Sequence, residues 1–147
     1  MMKKVLLLLM MIAIFYFSQT PGLLVLDPST WVHSGEFRDG VDIASILKPG
    51  GTFYLPYHPG IDAEFVTRKI AHFSFFGLLS LLFLWNLKGR LRYVLAWLFT
   101  ALYAFTDEIH QAFTVGRDGR ILDVMVDSAG ALLFLLIATS IRYIRRT

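Results

Sequence analysis

Four apolar stretches set the rhythm of the chain, each bounded by basic or turn-forming residues. The first follows Lys3 and Lys4 and runs from Val5 to Phe17. A bilayer core of about 30 Å asks for about 20 apolar residues in a helix, so this run is short. It reads either as the apolar core of a signal peptide or as an uncleaved first helix over about 5–18. Ser18-Gln19-Thr20 is a weak small-x-small cleavage pattern, and Pro21 would follow the cut. The uncleaved helix is therefore preferred, its lysines snorkelling to the headgroups. Further spans are expected over about 70–87, 93–106 and 121–141. Lys88-Gly89-Arg90-Leu91-Arg92 forms a tight basic turn between the second and third. The third continues as helix through Asp107–Phe113, and Thr114–Arg120 is a short loop with two glycines and two arginines.

Residues 19–67 break this rhythm. Pro21-Gly22, Pro28, Pro49-Gly50-Gly51, Pro56 and Pro59-Gly60 interrupt them, and nothing there could span a membrane. Trp31, Phe37, Phe53, Tyr54 and Tyr57 are scattered through the segment and suit a loop resting on the membrane interface. A short helix between Val41 and Leu47 is a weak expectation. The predicted fold class is all-α: a four-helix transmembrane bundle with a long extracytoplasmic loop between helices 1 and 2, residues 1–147 forming a single domain. There is no internal repeat.

Composition agrees with lipid as the solvent. The chain is 56% hydrophobic and 17% charged, against about 45–50% and about 25% in soluble domains. A net charge of +3 does not signal nucleic acid, because the basic residues flank apolar runs instead of forming one stripe. With no cysteines, disulfides and thiolate chemistry are excluded. Lys3, Lys4, Lys88, Arg90, Arg92, Arg142, Arg145 and Arg146, eight of the fourteen basic residues, fall in three short segments. The positive-inside rule puts those segments, and hence both termini, in the cytoplasm. All eleven acids then fall on the outer side.

Ionisable groups from three spans collect at that outer level. Lys69 and His72 are three apart and share a helical face. Glu108 shares a face with Gln111, and Asp107 another with His110. Asp123 and Asp127 sit one turn apart, and the preceding loop adds Arg117 and Arg120. A charge in hydrocarbon costs about 2.5–3.5 kcal/mol at mid-helix, so such residues face a bundle interior or watery cavity and pair. Lys69 and the arginines are the available partners of Glu108, Asp123 and Asp127. The bland alternative is that these charges are solvated near headgroups or only fix packing, and Asp62, Glu64 and Asp118 are read that way. His72, His110, Asp107 and Glu108 offer a two-histidine, carboxylate set. They lack HExxH-type spacing, so no metal is expected, nor any soluble cofactor. Acid–base catalysis remains open, with Glu108 or Asp123 as base and His72 or Lys69 as proton donor or stabiliser. Gly77, and Gly130 with Ala129 and Ala131, permit close helix approach. Gly116 and Gly119 serve the turn, while Trp85, Tyr93, Trp97 and Tyr143 suit an inner aromatic belt.

The motifs themselves resemble those of the VanZ-like family of small membrane proteins. The match runs through Phe15-Tyr16-Phe17-Ser18-Gln19, Lys69-Ile70-Ala71-His72-Phe73, Asp107-Glu108-Ile109-His110-Gln111-Ala112-Phe113, Gly116-Arg117, Asp123-Val124, Asp127 and Gly130. It covers most of the chain except the long outer loop. Family members often carry Val-Pro-Gly-Arg where Thr114-Val115-Gly116-Arg117 stands, and many have Asn at Asp127. A small residue is common where Phe134 sits, which implies a looser helix contact here. The resemblance implies a bacterial cytoplasmic-membrane protein. It also implies action at the outer face on the cell envelope or a lipid-tailed molecule, since the name-giving member is associated with teicoplanin resistance and has little effect on vancomycin.

Three functions follow as expectations. The first is binding or modification of an envelope precursor or lipid-tailed glycopeptide by Lys69, Arg117 and Arg120, with the carboxylates positioning those cations. The second is a small intramembrane enzyme acting on an envelope lipid or glycopolymer, with Glu108, Asp123 and His72 as catalytic candidates. The third is a structural subunit whose ion pairs hold its helices together. Membrane lipids are the expected surroundings in all three, and the sequence leaves the oligomeric state open.

Overall fold

The computed structural model describes residues 1–32, 35–57 and 62–145. Pro59-Gly60 and Arg146 lie outside them. The described residues hold five α-helices: α1 (Met2–Ser18), α2 (Ile43–Ile46), α3 (Ala63–Asn86), α4 (Arg92–Phe113) and α5 (Ile121–Ile144). The all-α class, the four expected long helices and the short helix inside 41–47 are all present.

The largest boundary difference is at α3, which starts at Ala63 instead of Ile70. Asp62 stands in extended conformation, and its carboxylate accepts the Phe65 N–H at 2.7 Å. That N-cap satisfies a donor the first turn would otherwise leave free. Residues 63–67 therefore belong to the helix and not to the loop, and Arg68 and Lys69 sit on its second turn. Asp62→Ala should cost about 1 kcal/mol, the usual value of such a cap, read as a lower melting temperature with the same helical content.

α3 and α5 form the most extensive helix contact, and α4 packs on both. α1 lies mainly against α3. Asn86 at the end of α3 donates to the Lys3 carbonyl at the start of α1 (3.1 Å), while Ser18 at the end of α1 reaches Asp107 near the end of α4 (2.7 Å). Successive long helices thus alternate in direction. Small residues let them close. A Cβ on Gly130 would fall on the backbone carbonyl of Phe73. Gly77 of α3 receives the ring of Phe134, whose atoms lie 2.5–2.7 Å from where a Cβ would be. The bulk at Phe134 does not loosen the contact: Gly77 supplies the missing volume.

α4 buries Ala96, Thr100, Ala104, Asp107, Glu108 and Gln111, and α5 buries Asp123, Asp127, Gly130, Ala131 and Leu135. Both sets follow helical spacing, so the acids continue the inward stripe of small and apolar residues. The outer faces are apolar, with Leu98, Phe99, Leu102, Leu132, Leu133, Leu136 and Ile137 exposed. Among the described residues, two helices, α3 and α5, are long and apolar enough to cross a membrane. Only 22% and 28% of their most apolar windows are buried, which is unlike the core helix of a soluble protein. At the end opposite the acids, Lys3 lies over Trp85 and Arg92 over Tyr93. Trp97 instead donates its indole N–H to the Ser128 carbonyl at 3.1 Å.

The segment before α3 covers the acid end of the bundle. Phe37 and Thr114 form an antiparallel bridge, with Arg38 N–H donating to the Phe113 carbonyl at 2.8 Å and Val115 N–H to Glu36 at 2.9 Å. Phe53 and Ile46 are buried beneath it. Glu64 is not merely solvated: its carboxylate accepts the Val25 and Leu26 N–H groups at 2.5 and 3.2 Å. Asp118 remains exposed and pairs with Arg38 at 3.5 Å and Arg120 at 3.7 Å.

Candidate functional site

Most of the expected polar residues converge beneath that cover. Asp107, Glu108, Gln111, Arg117, Asp123 and Asp127 are all buried, and Lys69 and His72 reach them from α3. Gln111 is the hub. Its amide donates to Asp107 at 3.0 Å and to Glu108 at 2.8 Å, and its carbonyl accepts from the Arg117 guanidinium at 2.9 Å. Glu108 also accepts the Arg120 backbone N–H at 2.8 Å. That bond exists because Gly119 lets the loop touch α4; a Cβ there would collide with the Glu108 carbonyl.

Asp123 accepts from both Lys69 and Tyr57. The Lys69 ammonium also lies 4.5 Å from the centre of the Tyr57 ring and 5.1 Å from that of Phe65, a cation–π arrangement. Burial and the adjacent Asp123 carboxylate push the Tyr57 phenol well above its ordinary pKa, so it stays protonated and donates. Burial, and then the neighbouring Arg68, pull the Arg117 guanidinium below its ordinary value. His72 Nδ1 lies 3.5 Å from Asp127, the deepest acid.

Two expected placements change. Asp107 pairs with Gln111 and Ser18, not with His110, whose ring packs on Phe15 at 4.4 Å and Phe37 at 5.9 Å. The Arg120 side chain turns from the carboxylates to the Leu55 and Pro56 carbonyls and Asp118, leaving only its backbone N–H on Glu108. Among possible metal ligands, His72, Glu108 and Asp127 each offer one atom within 4.8 Å of the others. His110 does not join them.

Three members of the site carry little signal in the sequence. Tyr57 enters from the cover, with no periodicity to announce it. Arg68 stands beside Lys69 at the start of the second span, but nothing in the sequence shows that it lines both cavities. Ser18 is carried only by the serine-glutamine resemblance, and it donates to Asp107 at 2.7 Å.

Two cavities open on this network. A polar one of about 350 Å³ is lined by Tyr57, Lys69, Gln111, Arg120 and Asp123. An apolar one of about 180 Å³ is lined by Ile14, Phe17, Leu23, Trp31, Phe75 and Phe76. They share Arg68, His72 and Arg117. Asp123 faces the polar cavity, while Glu108 is wholly buried with both carboxylate oxygens engaged.

Long apolar helices that carry a capped, buried acid–base network at one end define a small helical protein of the membrane. The family model for VanZ/LLP1 matches residues 4–142, and the chain belongs to that family. No curated protein and no solved structure gives a significant match.

Proposed function

We propose that the chain crosses the bacterial cytoplasmic membrane four times with both termini inside. In this reading its outer-side site holds the anionic headgroup of a lipid-tailed envelope molecule. Support for the topology comes from Lys3, Lys4, Lys88, Arg90, Arg92, Arg142 and Arg145 at one end, the alternating helix directions and the family membership. The observation that carries the ligand class is the shared wall of the two cavities. An amphiphile needs an apolar slot and a polar basin that meet, and here they meet at Arg68, His72 and Arg117. Arg68 and Lys69 would take the headgroup. The carboxylates would position the cations, as Asp123 does for Lys69. The name-giving relative's link to teicoplanin, a lipid-tailed glycopeptide, fits this ligand class and makes tolerance to it the specific activity to test.

Binding is measured on the purified full chain in nanodiscs with fluorescent phosphatidic acid and a phosphatidylcholine of the same acyl chains. Wild type should prefer the phosphatidic acid by at least about tenfold, or about 1.4 kcal/mol. Arg68→Ala should lose most of that preference at an unchanged melting temperature, and Lys69→Ala should lose it together with some stability, because Asp123 is left without its counter-charge. An equal affinity for the two lipids would refute the headgroup reading and favour a structural subunit. At matched membrane levels in a sensitive Gram-positive host, wild type should raise tolerance to teicoplanin more than to vancomycin. Lys69→Ala should not.

A further inference from the structure

The buried network at the outer end of the bundle is not balanced in charge. Four acids, Asp107, Glu108, Asp123 and Asp127, are buried together. Lys69 pairs with Asp123, Arg117 reaches Asp107 and Glu108 through Gln111, and His72 lies 3.5 Å from Asp127. The acids still outnumber their Lys and Arg partners by four to two, and Glu108 and Asp127 have no exposed surface. Buried charge of that kind is costly unless a counter-charge or a metal meets it.

The surplus also has a location. Lys69 answers Asp123, and neutral donors from Ser18 and Gln111 serve Asp107. Glu108 and Asp127 are in direct contact with neither Lys69 nor Arg117: Glu108 accepts from Gln111 and from the Arg120 N–H, with lone pairs to spare on both oxygens, and Asp127 has His72 at 3.5 Å. Asp127 has no exposed surface, and its Oδ1 has no hydrogen-bond partner among the described residues. Beside it stand His72 and Glu108, the three offering one ligand atom each within 4.8 Å of one another.

We propose that His72, Glu108 and Asp127 bind one divalent transition-metal cation, of the class of Mn2+ or Zn2+, in the bundle interior behind His72, the member of the three that lines the polar cavity. Two carboxylates and one imidazole suit borderline cations better than purely oxygen-seeking ones. A cation with bonds of about 2.1 Å holds ligand atoms roughly 3–4 Å apart, so side-chain rotations of about 1 Å complete the set. The ion offsets the excess of acids and gives Asp127 Oδ1 its partner. His72 lines both cavities, so the ion is reachable from the polar basin and adds positive charge beneath Arg68 and Lys69. The inference goes beyond the headgroup reading and does not depend on it.

The test is a Mn2+ titration of the purified full chain in nonionic detergent, followed by electron paramagnetic resonance. No anionic lipid is present, so the outcome is separate from that of the lipid-binding measurement. Wild type should bind one Mn2+ per chain, displaceable by Zn2+, and the bound ion should show hyperfine coupling to one imidazole nitrogen. Asp127→Asn should weaken binding by about 100-fold or more, beyond the roughly 10–100-fold that second-shell changes cost. His72→Asn should remove the nitrogen coupling, and Asp39→Asn, an exposed acid of the outer loop, should change neither. Failure of wild type to bind, or bound Mn2+ without nitrogen coupling, overturns the proposal however the variants fold. So does coupling that survives in His72→Asn. In each of these cases the acids would balance their charge with shared protons.

Discussion

Gly130→Val leaves little folded protein in the membrane, while Ala129→Val one residue away is close to neutral. Ala129 points outward and is exposed, whereas a Cβ on Gly130 would fall on the backbone carbonyl of Phe73. A backbone atom cannot swing aside as a side-chain tip can, so α3 and α5 must separate. Overpacking a core costs about 1–3 kcal/mol and occasionally more; a collision with backbone belongs at the upper end. The site suffers with the fold, because His72 and Lys69 reach Asp127 and Asp123 across this same helix pair. The checks are the membrane level of each variant and its unfolding midpoint in detergent. A Gly130→Val protein as abundant and as stable as wild type would show that α3 and α5 do not meet this closely. Gly119→Ala should act differently. It pushes the loop off the Glu108 carbonyl, so the Arg120 N–H bond is lost and the cover is displaced while the four long helices remain.

Periodicity and helix-end chemistry made part of this structure legible in the sequence. The inward stripe of α5 could be read from Asp123, Asp127 and Gly130, since an acid inside an apolar helix must turn toward the bundle to find a partner. The stripe of α4 is half legible. Spacing pairs Glu108 with Gln111, but it sets Asp107 beside His110 as readily as beside Gln111, because both i+3 and i+4 neighbours lie on one side of a helix. Tertiary packing decided between them: Ser18 of α1 supplied the partner for Asp107, and Phe15 took the His110 ring. The cover was almost illegible. Its backbone pairs join Arg38 to Phe113 at the end of α4 and Glu36 to Val115 just beyond it, partners far apart in the chain. No local pattern encodes such pairings, and Tyr57 arrives at Asp123 only because the cover folds over. The start of α3 is hidden for a smaller reason: the apolar run begins at Ile70, but the helix begins where Asp62 can cap it.

Arg117→Leu should be the most damaging single change to the site, and Glu108→Gln should partly repair it. Arg117 is the buried base that holds the Gln111 carbonyl while Gln111 binds Asp107 and Glu108. Without it, four buried acids keep Lys69 on Asp123 and His72 beside Asp127 as the bases in contact with them. Removing one partner from a buried charge network costs about 3–5 kcal/mol, because the charges left behind stay desolvated. Glu108→Gln then removes one of those charges while keeping the shape of the side chain. The double variant should be more stable than the sum of the two single changes by about 1–3 kcal/mol, the coupling expected of groups in one network. Unfolding midpoints in detergent for wild type, both single variants and the double variant close the cycle. Strict additivity would mean that Arg117 and Glu108 do not share one electrostatic environment, and the charge imbalance that motivates a cation at His72, Glu108 and Asp127 would lose its basis. Strong coupling would mean that Arg117 has two duties at once, balancing the acids below it and facing the cavities above. A bound anion would then compete with the acids for the same guanidinium, which ties the occupancy of the outer basin to the stability of the helix bundle.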